Sequence, residues 1–331
     1  MDLTTLPLIL SVYYPLLAVF GVPANILTIV ILSNGKCSLS KCITYYMVAM
    51  AVADLMVLIF DVLLYKIKEI YFPKSFLDYS QTCSLKITFS FISTDCSVWL
   101  TVAFSVDRFI SICCQKLRTK YCTAHTSVVV IAVICGLSAL QNFPTYVMNE
   151  PGQIIDSTPW FCVLKATFYT LPSWIAYLWL ETILTPFAAF FLILLFNSLT
   201  IRHILVTSKA RRDFRSSSND PEVENRRKSI ILLIAISGNF IFLWMLISVC
   251  QIFVQTTQNE FYNTDYSDSF TVAEQVGYML QLLSSCTNTV IYGVAQTKFR
   301  SELKEMIKYP FALPIKLIKA RYSRRWNGLL S

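Results

Sequence analysis

Any chemistry in this chain has to come from a small set of polar residues embedded in long apolar runs. Asp107 and Arg108 stand side by side in FSVDRFISI, Asp54 lies in AVADLMVLI, and Asn25 lies in GVPANILTIV; Asn288 and Tyr292 are four residues apart in SSCTNTVIYG. Neighbouring residues on a helix point about 100° apart, so Asp107 can neutralise Arg108 locally while the guanidinium reaches along the helix. Such a pair locks one state or, once freed, meets a partner. The plainer alternative is an arginine that snorkels to lipid headgroups. Asp54, Asn25 and Asn288 would together form a hydrated cluster or a site for a cation such as Na+, or else hydrogen-bonded glue between helices. Hydrolytic chemistry has no base to run on. The two histidines, His125 and His203, sit at the ends of apolar runs, no HExxH occurs, and Ser138 in GLSAL has no histidine at its depth. The expectation is a protein that is not an enzyme and carries no catalytic metal or resident cofactor.

The elements that must position these residues are membrane helices. Of 331 residues 55% are hydrophobic and only 15% charged, against about 25% charged in a soluble domain. A bilayer core about 30 Å thick needs about 20 apolar residues per helix, and seven runs meet that need, at about 8–32, 43–65, 84–113, 126–147, 174–203, 229–254 and 272–295. The alternating pattern of a β-barrel is absent. The expected fold class is therefore an all-α membrane protein, a seven-transmembrane helix bundle over 8–295. A short outer segment (1–7) precedes it, and an amphipathic surface helix (296–308) and a basic cytoplasmic tail (309–331) come after it. No charged segment or small-residue cleavage site marks the first run for removal, so it reads as a retained span.

Orientation follows from charge. Of the 28 lysines and arginines, all but Lys66, Lys68, Lys74, Lys86 and Lys165 fall on one side of the seven runs. That asymmetry puts the amino terminus outside and the carboxyl terminus inside. The net charge of +8 is thus a topological signal, and no nucleic-acid partner is expected. The loop TSKARRDFRSSSNDPEVENRRKS is basic and Ser-rich, suited to phosphorylation or simply a solvated topology signal. The tail is suited to anionic membrane lipid. No cysteine follows Cys286, which leaves Phe299, Met306, Phe311 and basic residues, not a palmitoyl group, to hold it.

On the outer side, Cys83 at the head of the third run and Cys162 in the loop before the fifth both face an oxidising compartment and can pair; two free thiols are the alternative. Asp61, Ser90, Thr94, Asp95, Glu181, Gln251 and Gln281 place polar atoms in the outer halves of the runs, with Trp244 of FIFLWMLIS below them. Converging polar groups of this kind make a pocket open to the exterior, although each is individually as compatible with a helix–helix hydrogen bond. Asp61 comes seven residues after Asp54, on the same helical face. Nine acidic residues face outward against the five lysines, a balance that steers a cationic ligand inward and also suits any positive-inside protein.

Taken in order, these residues resemble the rhodopsin-like (class A) G protein-coupled receptors over about 10–308. The resemblance is carried by Asn25, Ala53-Asp54, Cys83, Asp107-Arg108-Phe109, Cys162, Pro186, Phe240 with Trp244, the run Asn288 to Tyr292, and Phe299. Within the family the chain is similar to orphan-type receptors proposed to sense aromatic amino acids or peptides. The resemblance implies an extracellular ligand, a peptide or small amino-acid-like molecule, that shifts the bundle so that span 6 swings outward and a heterotrimeric G protein is engaged. Asp107, Arg108, Phe109, Pro186, Phe240, Trp244, Asn288 and Tyr292 would carry that switch. The family's amine receptors have an aspartate where this chain has Ser90, which disfavours a simple amine anchored there. The chain departs from the pattern at Gln115, Leu194, Leu246 and Thr289, and near Cys135 it lacks the span 4 tryptophan. Leu246 and Thr289 stand where the family has prolines, so the hinges of spans 6 and 7 lose their kinking residue. A non-signalling receptor is one alternative for that reason. An ion-coupled transporter using Asp54, Asp61 and Asp95 is another, though no inverted repeat is evident. An opsin would need a lysine within 272–295, and there is none.

Overall fold

A computed structural model of the chain describes residues 5–168, 170–214, 221–257 and 268–308, and of the side chains all but those of 208–229. Residues 215–220 of the Ser-rich loop and the tail over 309–331 lie outside the described residues. Among the described residues six helices are long and apolar enough to cross a membrane: Thr5–Ser33 (span 1), Lys41–Tyr71 (span 2), Ser80–Cys113 (span 3), Ala124–Val147 (span 4), Pro172–Thr207 (span 5) and Ile230–Thr257 (span 6). A seventh helix, Ser269–Ala295 (span 7), packs on spans 6, 1 and 2. It falls short of the apolarity of the other six, because Gln275, Gln281, Ser284, Ser285, Thr287, Asn288 and Thr289 crowd its length. A short helix over 297–308 comes next. Phe299 of this helix is fully buried, and Leu303 and Met306 pack on the same inner core.

The helix starts are written locally. Ser40 accepts from the Ile43 amide at the head of span 2, Thr123 from Thr126 at span 4, and Asp268 from Phe270 and Thr271 at span 7. Each side-chain oxygen thus satisfies a backbone N–H that the first helical turn leaves without a partner. The spans carry apolar side chains on their outer faces as well. Leu8, Val12, Val19 and Phe20 of span 1 and Phe242, Met245 and Val249 of span 6 are exposed, as lipid-facing residues should be.

Two spans contain wide π-helical turns: Leu58–Ile67 in span 2 and Ile183–Ala188, around Pro186, in span 5. A π-turn takes up extra residues and rotates the helix beyond it. Asp54 and Asp61, seven residues apart, nonetheless both face span 3: Asp61 accepts from Ser90 at 3.2 Å and Asp54 from Ser97 at 2.6 Å. The core divides into an inner cluster centred on Met47, Met50, Phe104, Leu233 and Tyr292, an outer one joining spans 1, 2 and 7, and a third joining spans 3, 5 and 6. Spans 6 and 7 meet closely at Gly277, where a Cβ would lie 3.0 Å from the Ile247 backbone nitrogen.

The loop between spans 4 and 5 holds an antiparallel hairpin, β1 (Asn149–Ile155) and β2 (Thr158–Leu164). Asp156 and Ser157 both have positive φ, 49° and 61°, as the tight turn of a two-residue hairpin requires. Cys162 of β2 is disulfide-bonded to Cys83 at the head of span 3, and the Trp160 ring packs on Tyr79 at 4.5 Å.

Candidate functional site

At the inner end of span 3, Asp107 and Arg108 form an ion pair, and both are buried. Asp107 is held from a second side by the Cys42 thiol of span 2, which donates to Oδ1 at 2.9 Å. The guanidinium also lies 5.7 Å from the centre of the Phe104 ring, within cation–π range. Arg108 Nε has no hydrogen-bond partner among the described residues. Cys122, in the loop before span 4, contacts the Asp107 carbonyl at 3.9 Å. Burial first, and the Asp107 charge second, push its thiol up to about 11, so it is a protonated donor at neutral pH. Phe109 packs on Phe196 of span 5 at 5.4 Å. Tyr292 is wholly buried against Phe299, its hydroxyl without a partner among the described residues.

In the middle of the bundle Asp54 is the hub. Ser97 donates to Oδ1 at 2.6 Å and Asn288 to Oδ2 at 2.8 Å, which ties span 2 to spans 3 and 7. Asn25 does not bond to Asp54. Its amide donates to the Ser285 carbonyl at 2.8 Å and to the Gly21 carbonyl at 3.0 Å. Thr289 pairs with Thr28 of span 1 at 2.8 Å and also reaches the Ala24 carbonyl. Span 7 is therefore laced to span 1 at the position where a proline would have provided a kink. Asn239 of span 6 donates to Thr287 of span 7 at 2.7 Å. The sequence does not single out Ser97, Ser285, Thr28 or Thr287, because hydroxyls in membrane helices usually bond to their own backbone. The one cue is the density of hydroxyls around Asn288.

The outer polar residues fall into three groups. Asp61 and Ser90 join spans 2 and 3. Asp95 accepts from Asn142 at 2.6 Å, Thr185 at 2.8 Å and Gln141 at 3.3 Å, and Gln141 also donates to Glu181 at 3.0 Å, which joins spans 3, 4 and 5. In the third group, Trp244 donates to Ser284 of span 7 at 3.0 Å and packs on Phe240, whose ring meets Phe190. Gln281 is half-buried in that region, with its Oε1 lacking a partner among the described residues. Thr94 and Gln251 are half-buried. Pro186 sits inside the π-turn of span 5. Gln141 and Asn142, which no motif in the sequence marks, hold Asp95.

The sequence matches the family described as 7 transmembrane receptor (rhodopsin family) over residues 24–292. Among curated proteins it is 26% identical to growth hormone secretagogue receptor type 1 of Oryctolagus cuniculus and 23% identical to that of Homo sapiens, in each case over 97% of this chain and 87% of the relative. It is 24% identical to C-C chemokine receptor type 6 of Homo sapiens, over 91% of this chain and 76% of that one.

Proposed function

The chain belongs to the rhodopsin family of seven-transmembrane receptors, and from that premise we propose how this G protein-coupled receptor of the plasma membrane is switched. An extracellular ligand, a peptide or amino-acid-like molecule, enters from the side of the amino terminus and prefers an open bundle; the relatives are named for a growth hormone secretagogue and a C-C chemokine. In that state Arg108 leaves Asp107 and meets a heterotrimeric G protein at the cytoplasmic mouth. The observation that carries this reading is the buried Asp107–Arg108 pair, with Cys42 holding the aspartate and the arginine Nε available to take a new partner. A ligand drives such a change only by its differential affinity for the two states, about 5.5 kcal/mol to move 1:99 to 99:1. Asp54, Ser97 and Asn288 act as the joint between spans 2, 3 and 7, and the oxygens of Asp54 and Ser97 suit a small hard cation such as Na+. The helix over 297–308 lies along the inner membrane surface with Phe299 as its anchor, and the basic tail rests on anionic lipid.

The test is a coupling panel. Receptor in nanodiscs is mixed with purified heterotrimers of each class, and nucleotide exchange is read without ligand and with arrays of short peptides and aromatic amino acids. Exchange above that of empty nanodiscs is the expected result; no exchange on any heterotrimer under any condition counts against coupling.

The lacing of span 7 yields a second expectation. Thr289→Pro removes the Thr28 hydrogen bond and one backbone N–H, but the Ser285 carbonyl keeps its Asn25 partner, so the orphaned acceptor is already satisfied. Folding and surface expression should stay near wild type, while basal exchange changes several-fold. Unchanged exchange would show that span 7 bends here without proline.

A further inference from the structure

Beside the ion pair, the inner half of the bundle holds a partly open cavity of about 360 Å³ between spans 3 and 4, within the range of roughly 300–1,000 Å³ that small-molecule sites occupy. Span 4 packs on spans 2 and 3 and is the least buried of the six apolar spans. Trp99, Val102, Val106, Val130 and Ile134 line the greater part of the cavity. Along span 3 its wall runs from Trp99 to Ile110, about 16 Å. That is the depth of one leaflet, half of a hydrocarbon core about 30 Å thick. Side chains that face a void lose their dispersion contacts, and an acyl chain of leaflet length restores them.

The polar side chains of the cavity gather at its inner end. Asp107, Tyr121, Cys122 and Thr126 lie there, with Tyr46 beside Asp107 and Cys122. Tyr46 is 5% exposed, and its hydroxyl makes no hydrogen bond among the described residues. A buried hydroxyl without an acceptor is costly. The ester carbonyl of a glycerolipid accepts from it, which a plain hydrocarbon cannot do. The cavity thus runs from polar to apolar in the same direction as a lipid of the adjacent leaflet, carbonyls at the inner end and chain toward the bilayer centre.

Charge selects among such lipids. The helix Gln115–Tyr121 comes just before span 4, and its last residue, Tyr121, is part of the cavity wall. Leu117 and Arg118 precede Tyr121 by four and three residues and so share its face. Lys116, Arg118 and Lys120 are exposed, and no acid among the described residues pairs with them. Unmatched cations at the mouth of an apolar crevice complement a negative headgroup. A sterol has the apolar body but no charge, and a zwitterionic headgroup has no net charge to offer.

We propose that the crevice between spans 3 and 4 binds one acyl chain of an anionic phospholipid from the adjacent leaflet, with the headgroup on Arg118 and Lys120 and an ester carbonyl on Tyr46. On the orientation proposed above that leaflet is the cytoplasmic one. The site itself requires no G protein, so it stands or falls apart from the coupling reading. Because Asp107 and Cys122 belong to the cavity wall, the bound chain touches the aspartate that holds Arg108.

The test uses the full-length receptor in phosphatidylcholine nanodiscs doped with one brominated lipid at a time: phosphatidylserine or phosphatidylcholine brominated on one chain, or a brominated sterol. Bromine quenches tryptophan emission at close range, and Trp99 stands on the cavity wall. The difference between wild type and Trp99→Phe isolates its emission from that of the other tryptophans. Half-maximal quenching of Trp99 is expected at an about tenfold lower mole fraction of the serine lipid than of the choline lipid. Arg118→Gln/Lys120→Gln changes only exposed side chains and should bring the two lipids level. Tyr46→Phe should weaken quenching by both glycerolipids severalfold. Val130→Phe, which fills the crevice from its less buried wall, should remove the lipid-specific quenching and leave the unfolding midpoint at or above wild type. Equal quenching by the serine and choline lipids in wild type, a preference that survives the double glutamine variant, or strongest quenching by the sterol would each overturn the assignment. Trp99 emission that no brominated lipid quenches would overturn it as well, and would mean that protein, not lipid, fills the crevice.

Discussion

Arg108→Ala is expected to lower stimulated nucleotide exchange by at least tenfold at equal surface expression, while Asp107→Asn raises basal exchange. The two residues belong to one ion pair, so a purely structural role predicts that breaking it from either side has the same effect. A switch predicts opposite effects. In the closed bundle the guanidinium is spent on Asp107 and on the face of Phe104, and charge-assisted hydrogen bonds of this kind contribute roughly 1.5–3 kcal/mol. Asp107→Asn removes the charge and leaves the Cys42 thiol an oxygen to donate to, so the arginine is released at little cost to the fold. A bias of about 1.4 kcal/mol toward the open state is a tenfold change in its population. Arg108→Ala instead strands a buried carboxylate, and Asp107→Asn/Arg108→Ala provides the control, because it carries no uncompensated charge and still lacks the arginine. If the double variant couples as well as wild type, Arg108 is not a contact of the G protein.

Loss of the Cys83–Cys162 disulfide is expected to lower the unfolding midpoint by roughly 4 °C. The bridge joins residues 79 apart, but spans 3 and 4 stay inserted as helices when the bundle loosens. The segment actually set free is the stretch of about 15 residues from the end of span 4 at Val147 to Cys162. Closing a loop of that size is worth about 3 kcal/mol. The Cys83→Ser/Cys162→Ser protein avoids mispairing, and its midpoint in nanodiscs is the measurement that checks this. A midpoint within about 2 °C of wild type would mean that β1, β2 and the Tyr79–Trp160 contact hold the loop unaided.

Much of this molecule is legible in its sequence because a membrane allows few solutions. Apolar runs of about 20 or more residues become helices. The polar groups that remain among them, Asp54, Asn288, Asp107 and Arg108, are too costly to bury without partners. Residue type alone brings Asp54 to Asn288, and Asn288 does donate to it. Three features are not legible. The π-turns in spans 2 and 5 break the 3.6-residue period on which facing arguments depend, and no residue pattern marks where they fall. The hairpin formed by β1 and β2 has no apolar alternation, since its strands lie half-exposed over a helix bundle and not on a core of their own. Asn25 bonds elsewhere than pairing by residue type predicts, because its best acceptor is the backbone carbonyl of Ser285, which no side-chain pattern displays.

The polarity of span 7 bears on how the receptor is made. A translating ribosome delivers the spans to the bilayer in order, and a helix enters lipid unaided only if its side chains favour lipid over water. Ser269–Ala295 meets that condition less fully than the six spans before it: its polar side chains find partners in those spans, Asn288 on Asp54, Thr289 on Thr28 and Thr287 on Asn239. Its stable insertion therefore waits until spans 1, 2 and 6 are already in place, and the last helix to emerge serves as a checkpoint on the assembly of the ones before it.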